Sequence, residues 1–80
     1  MKKEKIVKII TKHVVDNVDD IDVNDIEPDK SIKDYGASSL DIIEVISGSM
    51  RELKIKIPRS ELADITTINE LAEKFMQYKK

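Results

Sequence analysis

Two adjacent serines, Ser38 and Ser39, follow Gly36-Ala37 and precede an apolar run that starts at Leu40. A glycine turn here delivers a serine to the start of an amphipathic helix. Serine in that place commonly caps the helix, its hydroxyl accepting from one of the first free N–H groups. The same hydroxyl is open to a modifying enzyme. A phosphodiester attached to it would sit beside unpaired N–H groups at the positive end of the helix, a favourable place for an anion. No base adjoins either serine, so neither reads as an activated nucleophile. The serine is then a substrate for modification and not a catalyst. Local spacing leaves both uses open, capping and modification, for both residues.

Other chemistry finds little support. Cysteine is absent, which removes thiolate ligands, thiol nucleophiles and disulfides. His13 is the single histidine and reads as a surface residue of a helix, beside Val14. The two glycines, Gly36 and Gly48, build no phosphate loop. The acidic stretch from Asp16 to Asp29 lacks the alternating ligands and central glycine of a calcium loop. Loose cation binding by Asp16, Asp19 and Asp20 is the residual possibility there. No catalytic residue and no metal-ligand set is assigned.

Charged residues make up 38% of the chain, yet the net charge is only −2. Lysines at 2, 3, 5, 8 and 12 make the first segment basic, and the next is acidic. Nucleic-acid binding calls for a continuous basic face with aromatic readers. The aromatic residues here are Tyr35, Phe75 and Tyr78 alone. No run approaches the roughly 20 apolar residues that span a bilayer, and none resembles a signal peptide. The expectation is a cytoplasmic monomer with no nucleic-acid or membrane partner.

The 80 residues read as one domain, 1–80. Ile6, Val7, Ile9, Ile10, Val14, Val15 and Val18 recur at helical spacing over 3–18. Their β-branching lowers helix propensity, so packing must stabilise this helix. Residues 19–37 form a long loop, rich in turn-favouring Asp and Asn and containing Pro28. Ile21, Val23, Ile26, Ile32 and Tyr35 are the expected pegs that tie it to the core. A second helix spans about 40–53. Lys54 to Ile57 alternate, but without a partner strand they are an extended connection. Pro58 opens a short helix over about 58–63. Thr67 and Glu70 have capping-box spacing and start a last helix over 68–78, with Ile68, Leu71, Ala72, Phe75 and Met76 on one face. The sum is all-α, a small four-helix bundle of three longer helices and one short one, with a long first loop. Ser47, Gly48 and Ser49 interrupt the second helix with small residues. They either face solvent or permit close helix packing, or else they shape a channel or a partner's approach.

Taken together, these residues resemble the acyl carrier protein family. Gly36-Ala37-Ser38-Ser39-Leu40-Asp41 is similar to the family's Gly-Ala-Asp-Ser-Leu-Asp. Ile26 to Gly36 is similar to its approach to that site, Ile57-Pro58 to the start of its third helix, and Thr66 to Leu71 to the start of its last. The resemblance covers nearly the whole chain. It implies an acyl-carrier-protein-like fold and a carrier that is not an enzyme. It implies that Ser39 bears 4′-phosphopantetheine, transferred from coenzyme A by a phosphopantetheinyl transferase, on which acyl groups ride as thioesters for polyketide, fatty-acid or related biosynthesis. Its position after the glycine and next to Leu40 selects Ser39 over Ser38. A peptidyl or aminoacyl carrier, or a helical interaction module with Ser39 as a plain cap, are the alternatives. The implied partners are the transferase and the acyl-loading and acyl-processing enzymes of a pathway, met by Leu40, Asp41, Ile43, Glu44, Arg51 and Arg59. Ser38 departs from the family's aspartate. The second helix keeps Asp41, Glu44 and Glu52, but Arg51, Lys54, Lys56 and Arg59 intrude on an otherwise acidic pattern. These departures set the chain apart from a housekeeping fatty-acid carrier. Ile57 to Leu62 together with Ile68 to Phe75 is more similar to discrete carriers of secondary metabolism, among them the donors that serve β-branching enzymes, and the resemblance suggests that Arg51 and Arg59 select partners by charge.

Overall fold

The computed structural model describes residues 2–18, 21–62 and 65–78. Four helices occur among them: α1 (Lys3–Asn17), α2 (Ser39–Leu53), α3 (Arg59–Leu62) and α4 (Ile68–Tyr78). Two 3-10 turns, Val23–Asp25 and Ile32–Tyr35, lie in the connection from α1 to α2. This is the all-α bundle of three longer helices and one short one. Among the described residues no helix is long and apolar enough to cross a membrane.

The stripe on α1 is Ile6, Ile10 and Val14, spaced by four and fully buried, with Val18 buried just past the helix end. α1 packs against both α2 and α4. α4 contributes Ile68, Leu71, Ala72 and Phe75, each fully buried, and α2 contributes Val45. Burying each such side chain contributes on the order of 1.5–3 kcal/mol, which offsets the poor helix propensity of the β-branched residues. Met76, expected on the core face of α4, is instead 39% exposed. It lies about 100° round the helix from Phe75, and half-buried Tyr78 closes the stripe in its place.

Gly48 and His13 set how closely α1 and α2 approach. A Cβ at Gly48 would stand 2.7 Å from His13 Nδ1, a separation real atoms do not tolerate. The glycine therefore makes room for the imidazole. His13 is no surface residue: its side chain is 17% exposed, and Nε2 lies 2.9 Å from Glu52 Oε1. The reason lies in the partner helix, whose backbone at Gly48 is bare. Ser49 is fully buried and its hydroxyl donates to the Val45 carbonyl at 2.7 Å, so no polar atom is stranded there. Close packing is thus the role of Gly48 and Ser49.

The long connection is strapped down at named points. Ile32 is buried, and Ile21 and Ile26 pack partly buried against the core. The Tyr35 hydroxyl accepts from the Glu27 N–H at 2.6 Å and donates to the Glu27 carbonyl at 3.0 Å. The Ile32 N–H donates to the Thr66 carbonyl at 2.9 Å, and the Asn69 N–H to the Pro28 carbonyl at 3.0 Å. Val23 is not a peg. It is 54% exposed, because it opens a short 3-10 turn that has no buried residue and is capped by Asp22. Asp19 and Asp20 of the suggested cation site lie outside the described residues, as does residue 63 of the short helix.

Beyond α2, Ile55 and Ile57 are buried while Lys56 between them is exposed. The alternation is that of an extended segment with one side on the core. The Thr67–Glu70 box forms as spaced: the Glu70 N–H donates to Thr67 Oγ1 at 3.1 Å, and the Thr67 N–H donates to Glu70 Oε1 at 3.0 Å. Thr66 adds its hydroxyl at 2.9 Å and its N–H at 3.1 Å to the same oxygen. The Thr66 hydroxyl foremost holds the Glu70 carboxyl below the usual carboxylate range.

Candidate functional site

The structure gives the two serines different surroundings. Gly36 ends the second 3-10 turn at φ 83°, a left-handed conformation that glycine adopts without steric cost. The turn leads through buried Ala37 into α2. Ser38 is the N-cap. Its Oγ accepts from the Asp41 N–H at 3.2 Å, and the Asp41 carboxylate accepts from the Ser38 N–H at 3.0 Å. This reciprocal box was legible as a serine three residues before an acid, a spacing as informative as Thr67-to-Glu70. Ser39 is the first residue of α2 and is exposed. Among the described residues no hydrogen bond engages its hydroxyl or the N–H groups of Ser39 and Leu40. One serine holds the helix end; the next offers a free hydroxyl beside two free donors.

Ser39 also stands on the lip of a cleft of about 560 Å³ between α2 and the α3 side. The α2 wall is Ile42, Ile43, Ile46 and Met50, and Ile57, Leu62 and Ile65 face them. Ser47 lines the same cleft, so the small residues of α2 split: Gly48 and Ser49 pack inward, and Ser47 opens outward. Lys33 and Arg59 are the cations of the lining. Ile43, 45% exposed, and Leu40, 74% exposed, present apolar surface beside the serine.

The six expected contact residues are spread over two adjoining grooves and the start of α2. Ile43 and Arg59 border the cleft with Ser39. Glu44 and Arg51 border a second groove further along α2. Leu40 stands clear at the helix start, and the Asp41 carboxylate is engaged in the cap. Glu52, counted with the acids of α2, is turned toward α1. The hydrogen bond with His13, followed by that with Lys12, holds its carboxyl below the ordinary range.

The family described as the phosphopantetheine attachment site matches residues 12–75 of the chain. The polyketide biosynthesis acyl-carrier-protein AcpK of Bacillus subtilis is 33% identical over 73 residues, covering 91% of this chain and 89% of that protein. The chain belongs to the acyl carrier protein family. An acyl carrier protein of Cyanidioschyzon merolae is 34% identical over 61 residues, covering 75% of this chain and 67% of that one. Among solved structures, an acetyl-donor acyl carrier protein in complex with the HMG synthase of the curacin biosynthetic pathway superposes with a TM-score of 0.75 at 37% identity, covering 94% of this chain and 96% of that chain.

Membership makes this acyl carrier protein a carrier and not an enzyme, with phosphopantetheine as its cofactor. The start of α2 fits that group. A phosphodiester needs an unoccupied hydroxyl for attachment and donors for its anionic oxygens, and Ser39 and Leu40 supply both there. The attached arm supplies a flexible tether ending in a thiol, the only thiol a cysteine-free chain can carry. The protein's own part at this place is an exposed hydroxyl at a helix start with an apolar cleft beside it.

Proposed function

We propose that Ser39 is the attachment point and that this chain is a single-domain, discrete acyl carrier of a polyketide-type pathway, monomeric and cytoplasmic. The observation that carries the reading is the division of labour between the serines. Ser38 is engaged in the capping box, so the free hydroxyl at the cleft mouth belongs to Ser39. The cleft suits an aliphatic acyl group, which would leave water for a wall of isoleucine, leucine and methionine. An arm on Ser39 can place its load in that cleft or offer it to an enzyme, raising the local concentration of acyl group at each site it visits. A phosphopantetheinyl transferase, drawing on cytoplasmic coenzyme A, and acyl-loading and acyl-processing enzymes are the partners. Likeness to the acetyl donor bound to an HMG synthase supports a donor role toward a β-branching enzyme. Leu40 and Ile43 are suited to contact partners because they are apolar, exposed and next to the serine.

Intact-mass measurement after incubation with coenzyme A and a promiscuous transferase tests the attachment. The wild-type chain and Ser38→Ala should each gain one phosphopantetheine, and Ser39→Ala none. Modification that survives Ser39→Ala and disappears in Ser38→Ala would overturn the assignment.

A further inference from the structure

Ion pairs are distributed unevenly over the molecule. Lys3, Lys12, Lys30 and Lys74 each meet a glutamate at 2.8–3.6 Å. Among the described residues Lys2, Lys5, Lys8 and Lys33 meet no carboxylate, and neither do the exposed Arg51, Lys54, Lys56 and Arg59, which differ in lying close together in sequence from the end of α2 to the start of α3. Three of these cations, Arg51, Lys54 and Lys56, surround a groove of about 560 Å³ whose wall includes Met50 and Ile55, with Glu44 at its edge. Ser47 and Met50 line both this groove and the cleft beside Ser39, so the two surfaces are continuous.

Lys54 adds an independent observation. It ends α2 in the left-handed conformation, at φ 56°, the only non-glycine residue with positive φ among those described. The Ile55 N–H donates back to the Met50 carbonyl at 3.1 Å, the bond that closes such a helix end. Glycine is the ordinary occupant, and a lysine there carries backbone strain that glycine would not. Strain retained at one position points to a use for that residue. Arg51 and Lys54 also complement the negative end of α2. Lys56 lies past that end, and the helix dipole gives no account of it.

We infer that this groove docks the acidic face of a partner protein. An apolar side chain of the partner enters beside Met50 and Ile55, carboxylates flanking it meet Arg51, Lys54 and Lys56, and a basic residue meets Glu44. The mixed signs suit a protein surface better than a polyphosphate backbone, which Glu44 and the net charge of −2 oppose. Ser39 and Lys54 are 15 residues apart on one helix, roughly 22 Å. One partner can cover both within a standard interface of about 800 Å² per side. The inference deepens the carrier reading and rests on it only for taking the partner to be an enzyme that receives the arm of Ser39.

The probe is a synthetic peptide with one phenylalanine flanked by glutamates, titrated into ¹⁵N-labelled holo-protein at low salt. Its control has lysine in place of every glutamate. The acidic peptide should shift the amides of Ser47, Arg51, Lys54 and Ile55, and its affinity should fall about fivefold on raising salt to about 0.2 M. The double variant Lys54→Glu, Lys56→Glu should bind it about tenfold more weakly while keeping its circular dichroism spectrum and its mass gain at Ser39. Lys54→Gly should melt at a higher temperature than wild type and still bind more weakly, which separates stability from docking. Absent shifts, shifts confined to Leu40–Glu44, equal responses to the two peptides, or tighter binding of an oligonucleotide than of the acidic peptide would each overturn the surface. Failure of the mass gain at Ser39 would instead overturn the attachment site, and the same titration on the unmodified protein would still read the groove.

Discussion

α2 has two sides that obey different rules. Toward α1 and the core the helix is closely packed. Val45, Phe75 and the α1 stripe are fully buried, Ser49 has its hydrogen bond, and Glu52 is tied to His13 and Lys12. Toward α3 the surface is open. A cleft runs beside Ser39, Leu40 and Ile43 stand in solvent, α3 is a four-residue helix with no buried residue, and among the described residues the cations nearby meet no carboxylate. The closed side supplies the stability that lets the open side remain incomplete. An apolar cleft and unpaired charges are unfavourable features in a small helical fold, which has little stability in reserve. Their place on one side of one helix is what a carrier that must hold, present and release its load requires.

Truncations test that division most sharply. Phe75→Ala should cost about 3–5 kcal/mol in a denaturant titration, since it empties the closed core. Ile43→Ala should change stability by less than about 0.5 kcal/mol, as an exposed position does. Comparable losses from the two would erase the distinction.

The contact between Gly48 and His13 gives the next largest effect, with a sign that depends on background. Gly48→Ala drives a methyl into the imidazole, and overpacking of that kind costs about 1–3 kcal/mol. In a His13→Ala background the same change should stabilise by up to about 1 kcal/mol, the helix propensity of alanine over glycine. A double-mutant cycle on urea midpoints measures the reversal, and the same sign in both backgrounds would show that the two residues do not touch.

The adjacent serines should separate next. Ser38→Ala should lose about 1 kcal/mol with the cap, whereas Ser39→Ala should leave the melting temperature nearly unchanged.

The smallest effect concerns acid. Folding lowers the Glu70 carboxyl through Thr66 and Thr67, so its contribution is present above the ordinary carboxylate range and lost as pH falls through the lowered value. The gap in melting temperature between wild type and Glu70→Ala should therefore narrow from pH 7 toward about pH 3. A gap independent of pH would assign the effect to helix propensity instead.

Much of this was legible in the linear chain. Helix spans, the long loop and the Thr67–Glu70 box followed from periodicity and from spacings within one or two turns, where neighbours in sequence are neighbours in space. The start of α2 at a serine was legible for the same reason, and the Ser38–Asp41 box could have been. Val23 and Met76 were misplaced because apolar character alone does not fix which way a short turn or the rim of a helix faces. His13 was misplaced because Gly48, Glu52 and the imidazole come together across 35 to 39 positions of sequence, through a register that no local rule sets.

By itself the sequence determined an all-α chain that brings a modifiable serine to a helix start, because propensity, capping and hydrophobic period are local and additive. The packing of α1 on α2 decided the rest: which charges are neutralised, which small residues are buried, and which side of α2 stays open. Those outcomes depend on how two helical surfaces interlock, and a close-packed interior admits one such fit and makes its neighbours costly.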